Sequence, residues 1–216
     1  MPTHHFHHLL IPHSSLNRGE IIIAGSGSSL AKESINKLDW PVLAVSSAIR
    51  GWYKNPDMRQ PDYWCVADSI DKHHYPEAEE AFYDRSIIKV LPQNVVISDY
   101  GRFKGTRPPA SAISFCWPRP RPFAFRSTNV ALMWAISQGF TKLYLTGIDL
   151  CNYGNAHYGD RITTEAEAEH HHPTIIKPLK MMVDDSRTNV QFISWSKISL
   201  LNKLENRYCK YEAPPF

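Results

Sequence analysis

Apolar and polar positions along the chain come in blocks. Glu20-Ile21-Ile22-Ile23-Ala24 is a β-branched run without interruption, the pattern of a strand buried on both faces of a parallel sheet. Gly25-Ser26-Gly27-Ser28-Ser29-Leu30 follows at once, and Leu30, Ile35 and Leu38 supply the apolar positions of a helix over 30–38. Val42–Val45 and Tyr63–Ala67 read as the next strands, Glu77–Tyr83 as a short helix, and Ile87–Val90 and Val95–Ile97 as short strands. Ser127–Gln138 is patterned as a helix, with Ser127 or Thr128 as N-cap and Gly139 just past its end. Lys142–Asp149 is a core strand that ends in a carboxylate. Thr174–Val183 predicts a helix, Val190–Trp195 the last strand and Ser199–Leu204 a closing helix. Strands alternating with helices predict an α/β fold, a mostly parallel sheet with helices on both faces.

Two stretches break this rhythm. Residues 99–124 set Arg102, Lys104, Arg107, Arg119 and Arg121 among prolines, and Pro118-Arg119-Pro120-Arg121-Pro122 fits neither a helix nor a central strand. They read as an exposed basic loop, either a substrate-side flap or a solvated connector. Residues 150–172 are polar, with Tyr153, Tyr158, an acidic run and His170-His171-His172. On an extended segment, adjacent histidines point in different directions, so one base from the triplet is a better reading than three ligands on one ion, with an exposed polar loop as the equal alternative. Residues 1–18, with His4, His5, His7, His8 and His13, read as a His-rich arm rather than an irregular metal-binding tract, since nothing fixes a coordination geometry. Residues 19–216 then make a single domain.

Composition narrows the classes. A chain of 216 residues with 43% apolar and 21% charged positions suits one folded domain and excludes global disorder. The net charge of +3 permits an anionic ligand without arguing for nucleic acid. The four cysteines form no CxxC, which excludes a zinc ribbon and a thioredoxin-type motif, and they read as reduced thiols of a cytoplasmic protein. No apolar run reaches the ~18 residues of a membrane span, and the N-terminus lacks the apolar stretch of a signal peptide. A homo-oligomer is left open.

Ligands of open α/β sheets sit beyond the carboxyl ends of the strands. Those ends carry Gly25, Ser26, Gly27 and Ser28, then Ser46 and Ser47, then Asp68, then Asp149, and the helix start Ser127-Thr128-Asn129 is expected on the same edge. The turn is neither GxGxxG nor a Walker loop, so it reads either as a phosphate cradle or as a tight structural turn. With Ser46 rather than an acid ending the second strand, an NAD site is disfavoured. Asp68 and Asp149 fit an acid/base pair, metal ligands, ribose partners or plain caps. Tyr153 and Tyr158 could hydrogen-bond a departing phosphate, or simply be partly buried.

Several of these segments together resemble the small bacterial sialyltransferases of glycosyltransferase family forty-two. Ile21–Leu30 is similar to the family's IIAGNGPSL opening, Ser127–Asp149 to its TSG…AIALGYKEIYLSGIDF segment, and Phe192–Leu201 to its closing LYCLCPNSLL. Pro61-Asp62-Tyr63-Trp64-Cys65-Val66-Ala67-Asp68 is closer to the PDY…D strand of the related DUF115 group, which holds flagellin-modifying glycosyltransferases and a pterin pyrophosphokinase. The resemblance implies a Rossmann-like sheet with a small lid, of the sialyltransferase type, over 150–172. It assigns the general base to His172 and leaving-phosphate contacts to Tyr153 and Tyr158. It places the nucleotide on Gly25, Ser26, Gly27, Ser28, Ser46, Ser47, Asp68, Ser127, Thr128, Asn129 and Asp149. Ser26, Ser46-Ser47 and Asp68 stand where the family has Asn, Asn-Gln and Asn, and Cys151 where it has its first tyrosine.

The expected function is therefore a metal-independent, inverting transfer of a sialic-acid-like sugar from a nucleotide-activated, CMP-linked donor to a hydroxyl of a glycan, which an anionic acceptor would also satisfy. No resident cofactor and no metal are expected. The alternatives are a Mg²⁺-dependent pyrophosphokinase or other phosphoryl transferase of the DUF115 kind, and a non-catalytic nucleotide- or glycan-binding module.

Overall fold

The structure is a computed structural model and describes residues 19–66, 76–92, 113–116, 126–150, 165–185 and 188–216. The strands are β1 (Glu20–Ala24), β2 (Val42–Val45), β3 (Tyr63–Cys65), β4 (Ile88–Pro92), β5 (Ile113–Cys116), β6 (Lys142–Thr146), β7 (Gln191–Ser194) and β8 (Lys210–Tyr211). The helices are α1 (Lys32–Lys37), α2 (Ile49–Tyr53), α3 (Pro76–Tyr83), α4 (Ser127–Ser137) and α5 (Glu165–Asp184). Short 3₁₀ segments cover Ser46–Ala48 and Leu200–Lys203.

The eight strands form one sheet in the order β5-β4-β3-β2-β1-β6-β7-β8, and each neighbouring pair is parallel. The chain builds outward from β1 to β5, then returns through α4 to lay β6 on the other side of β1. That reversal puts the topological switch point between β1 and β6, where α/β sheets open a crevice for ligands.

The unbroken apolar run of β1 is explained by burial on both sides. Ile21 and Ile23 join one apolar cluster with α4 and α5, while Ile22 and Ala24 join another with α1, α2 and α3. All four side chains have no exposed surface. The helices thus cover both faces, as the sequence pattern predicts. Over β6 and β7, on the α1 side, the cover is aromatic. Trp40 stacks on Tyr144 with ring centroids 4.6 Å apart, and Trp195 lies 4.9 Å from Tyr144.

Four elements differ from the sequence reading. The stretch 99–124, expected as a loop, contains β5, which pairs with β4 at the rim of the sheet. α5 begins at Glu165, so the histidine triplet lies in a helix rather than on an extended lid. α2 and β8 were not anticipated; β8 adds only a two-residue register against β7. α4 starts at Ser127, where the sequence places it, but its N-cap is Arg126 rather than Ser127 or Thr128, and no side chain caps it. The arm 1–18, the strand expected over 95–97, and the rest of 99–124 lie outside the described residues.

Candidate functional site

The turns after β1 and β6 are built against each other. Gly25 N–H donates to the Thr146 carbonyl and Gly27 N–H to the Gly147 carbonyl, both at 2.8 Å. A Cβ on Gly27 would lie 2.8 Å from the Gly147 carbonyl oxygen and would press on the Asp149 carboxylate. One on Gly25 would stand 2.8 Å from Ile148 Cγ1, with the Gly147 carbonyl nearer still. Gly147 itself has φ +62°, a conformation that favours glycine. The glycines of the β1 turn therefore answer to the close approach of two loops at the switch point.

Asp149 is the centre of this junction. Its carboxylate is buried, accepts from the Ser29 hydroxyl, from Ser29 N–H at 3.3 Å and from the Ser196 hydroxyl at 2.7 Å. One side chain thus ties together the segments that follow β1, β6 and β7. The start of α1 is engaged as well, because Ala31 N–H donates to Thr146 Oγ1 at 2.7 Å. Two of the amide groups that an anion would need here, those of Ser29 and Ala31, already have protein acceptors.

The outer surface of the junction is made of hydroxyls. Ser28 is exposed, and Ser26, Ser29, Ser46, Ser47 and Thr128 are partly so. Ser46, directly after β2, has φ +52°, and Leu150, four residues after β6, has φ +58°. Left-handed non-glycine residues are uncommon and collect at functional edges. The Ser46 carbonyl accepts from Trp64 Nε1 at 2.9 Å, which fixes the β2 turn to the end of β3.

α4 brings its first turn to the same edge. Cys65, the last residue of β3, donates its thiol to the Ser127 carbonyl, with sulfur and oxygen 3.6 Å apart. Ser127 is nearly buried, Thr128 half-buried, and Asn129 is 1% exposed with its amide donating to the Thr174 carbonyl of α5 at 2.7 Å. Because β6 and β7 are parallel, α5 descends from the carboxyl edge to the amino edge. The residues before Thr174 extend upward from that edge. His172 lies two residues before it, roughly 3 Å along the helix axis, and Glu165 roughly 14 Å.

Of the sequence-predicted residues, then, Gly25, Ser26, Gly27, Ser28, Ser46, Ser47, Ser127, Thr128, Asn129 and Asp149 all gather at one sheet edge. Asp149 and Asn129 spend hydrogen bonds on protein partners. The His172 backbone joins this edge, while its side chain, Asp68, Tyr153 and Tyr158 lie outside what is described. Sequence reasoning did not find Ser29, Ser196 or Thr146. The Ser-rich composition after β1 and β7 hinted at the two serines, and nothing in the sequence pointed to Thr146. Among the described residues no three His, Cys, Asp or Glu side chains assemble as a metal centre, and no helix is long and apolar enough to cross a membrane.

No family model matches the sequence, and no curated protein sequence does. Solved structures do share the fold. A MAf glycosyltransferase from Magnetospirillum magneticum AMB-1 superposes with a TM-score of 0.61 at 16% identity, over 94% of this chain and 35% of that one. The chain thus spans about a third of that protein's length. The sialyltransferase CstII from Campylobacter jejuni, in complex with cytidine 5′-monophosphate, gives a TM-score of 0.58 at 16% identity, over 93% of this chain and 86% of that one. A CST-II complex with a trisaccharide acceptor and CMP gives 0.55 at 14% identity, over 91% and 86%. The parallel α/β fold is that of these glycosyltransferases.

Proposed function

We propose that the protein is a glycosyltransferase that takes a sugar from a nucleotide-activated donor, of the CMP-linked kind, and passes it with inversion to an acceptor hydroxyl. The observation that carries this reading is the shared edge: a hydroxyl-lined switch point between β1 and β6 beside the histidine-bearing start of α5. Likeness in fold to the sialyltransferase–CMP complex supports it.

In this reading the nucleotide lies along Ser26, Ser28, Ser46, Ser47 and Thr128, with Asp68 at the end of the β3 segment. Neutral hydroxyls suit a ribose and a single phosphate, since they both donate and accept. His172 accepts the proton of the acceptor hydroxyl as its oxygen attacks the anomeric carbon. Tyr153 and Tyr158 donate to the departing phosphate, so that no metal is required. The basic stretch 99–124 holds an anionic glycan acceptor. The Mg²⁺-dependent phosphoryl-transfer reading would take Asp68 and Asp149 as ligands, and the Asp149 carboxylate is already shared by Ser29 and Ser196.

The test is turnover in EDTA with CMP-, UDP- and GDP-linked sugars, for the wild type and for His172→Ala. A general base is worth about 10²–10⁴-fold. The variant is expected to lose that much turnover while keeping its affinity for the donor. Undiminished turnover in the variant removes His172 from the mechanism, and transfer that stops in EDTA overturns the metal-free reading.

A further inference from the structure

α5 carries two prolines inside its span, Pro173 and Pro178. A proline has no N–H to give to the carbonyl four residues earlier, and its ring crowds that carbonyl. For Pro178 that carbonyl belongs to Thr174. It is the same carbonyl that receives the Asn129 amide at 2.7 Å, across 45 residues of sequence. Asn129 is 1% exposed, so this bond is shielded from water.

α5 is tied down on both sides of Pro178. Past Pro178, Leu179 and Met182 are buried in the cluster under β1, β6 and β7, and Tyr208 Oη donates to Asp184 at 3.2 Å. Before it, Ile175 is 6% exposed, Ile176 packs against the same cluster, and the Thr174 carbonyl receives the Asn129 amide. Thr174 is also the point at which the helix leaves the carboxyl edge of the sheet, with His170–His172 immediately above. Pro173 repeats the break in the helical ladder there, at the Glu169 carbonyl.

We infer that Asn129 is a positioning residue that replaces the hydrogen bond removed by Pro178, and so fixes the height and direction of the histidine-bearing start of α5 over the cleft. The Pro173–Pro178 span is a hinge, and Asn129 is its latch. Asn129 then acts through α5 rather than on the nucleotide. This deepens the glycosyl-transfer reading, on which only its catalytic consequence rests.

The prediction has a signature that ordinary loss of stability lacks, because Pro178→Ala restores an N–H four residues after Thr174 and makes the latch redundant. Amide hydrogen exchange of the full chain, read peptide by peptide, is compared for wild type, Asn129→Ala, Pro178→Ala and the double variant. Loss of one buried hydrogen bond should speed exchange over 166–177 by about tenfold in Asn129→Ala, while 179–184 stays at the wild-type rate. In the Pro178→Ala background the same replacement should leave 166–177 within about twofold. Should Asn129→Ala not fold, Asn129→Ser, too short to reach Thr174, takes its place. Acceleration spread evenly over the chain, no acceleration, or an equal effect in both backgrounds each overturns the latch. With a donor in hand, Asn129→Ala is expected to lower kcat and leave the donor KM unchanged. A wild type that turns over no donor would count against glycosyl transfer and leave the exchange result standing.

Discussion

At the scale of single residues, the junction of Gly27 and Asp149 governs stability. A methyl on Gly27 would push the Asp149 carboxylate away from Ser29 and press on the Gly147 carbonyl, 2.8 Å away. Overpacking of this kind costs about 1–3 kcal/mol, to which the lost hydrogen bonds of the carboxylate add. Asp149→Ala should cost about as much, since it leaves the Ser29 and Ser196 hydroxyls without their acceptor. The two replacements share one mechanism, so in urea unfolding the double variant is expected to fall well short of the sum of the singles. Simple additivity would mean that the junction is not one unit.

Lys89 gives the residue scale its pH dependence. It is the second residue of β4, has no exposed surface, and donates its ammonium to the Asp84 carbonyl past the end of α3. Burial lowers its pKa from 10.5 to about 8, against a smaller opposing pull from Asp84. Between those values the unfolded chain holds more protons than the folded one, so Lys89 makes stability rise with pH from about 8 toward 10.5. Cys209 works the other way, because burial pushes its thiol up to about 12 and stability falls once the unfolded thiol ionises. The comparison of wild type with Lys89→Met isolates the lysine: the variant should lack the upward component between pH 8 and 10.5 in its urea midpoints. Equal pH profiles would show that Lys89 is protonated alike in both states.

At the scale of elements, long runs with a single periodicity were legible in the sequence. β1, β2 and α4 fall where the pattern puts them, and Gly139 closes α4 with φ +88°. α5 starts nine residues before the expected Thr174, because the polar stretch up to His172 read as a lid, and local pattern cannot see a partner such as Asn129, 45 residues away. β5 was hidden by its neighbours. Ile113-Ser114-Phe115-Cys116 is a fair alternation, but the prolines and arginines around it spoke for a loop, and a rim strand paired on one side tolerates such flanks. The candidate site was legible as positions, since strand ends converge by topology. Its internal bonds were not, because Asp149 could equally have faced a ligand until Ser29 and Ser196 were seen around it.

At the scale of the whole molecule, the sheet order decides where a ligand would be felt. A nucleotide at the switch point would touch turns that follow β1, β2 and β6 and the first turn of α4, elements that are far apart in sequence. Binding there couples to global unfolding, because those turns cannot persist once the sheet is lost. A ligand at ~100 times its Kd adds about 2.7 kcal/mol to the folded state. For a chain of this length such a gain is several degrees in Tm, roughly 5–11 °C. Thermal unfolding with CMP, CDP, UDP, GDP, ADP and ATP, each in Mg²⁺ and in EDTA, therefore separates the readings by ligand as well as by size of shift. Under the glycosyl-transfer reading CMP should stabilise equally in both buffers, because serine and threonine hydroxyls, not an ion, meet its phosphate. Stabilisation by a di- or triphosphate that disappears in EDTA would instead place an ion between phosphate and protein. With Asp149 committed to Ser29 and Ser196, that ion would have to be held from Asp68 or another group outside this junction, and Asp68→Asn would then abolish the shift.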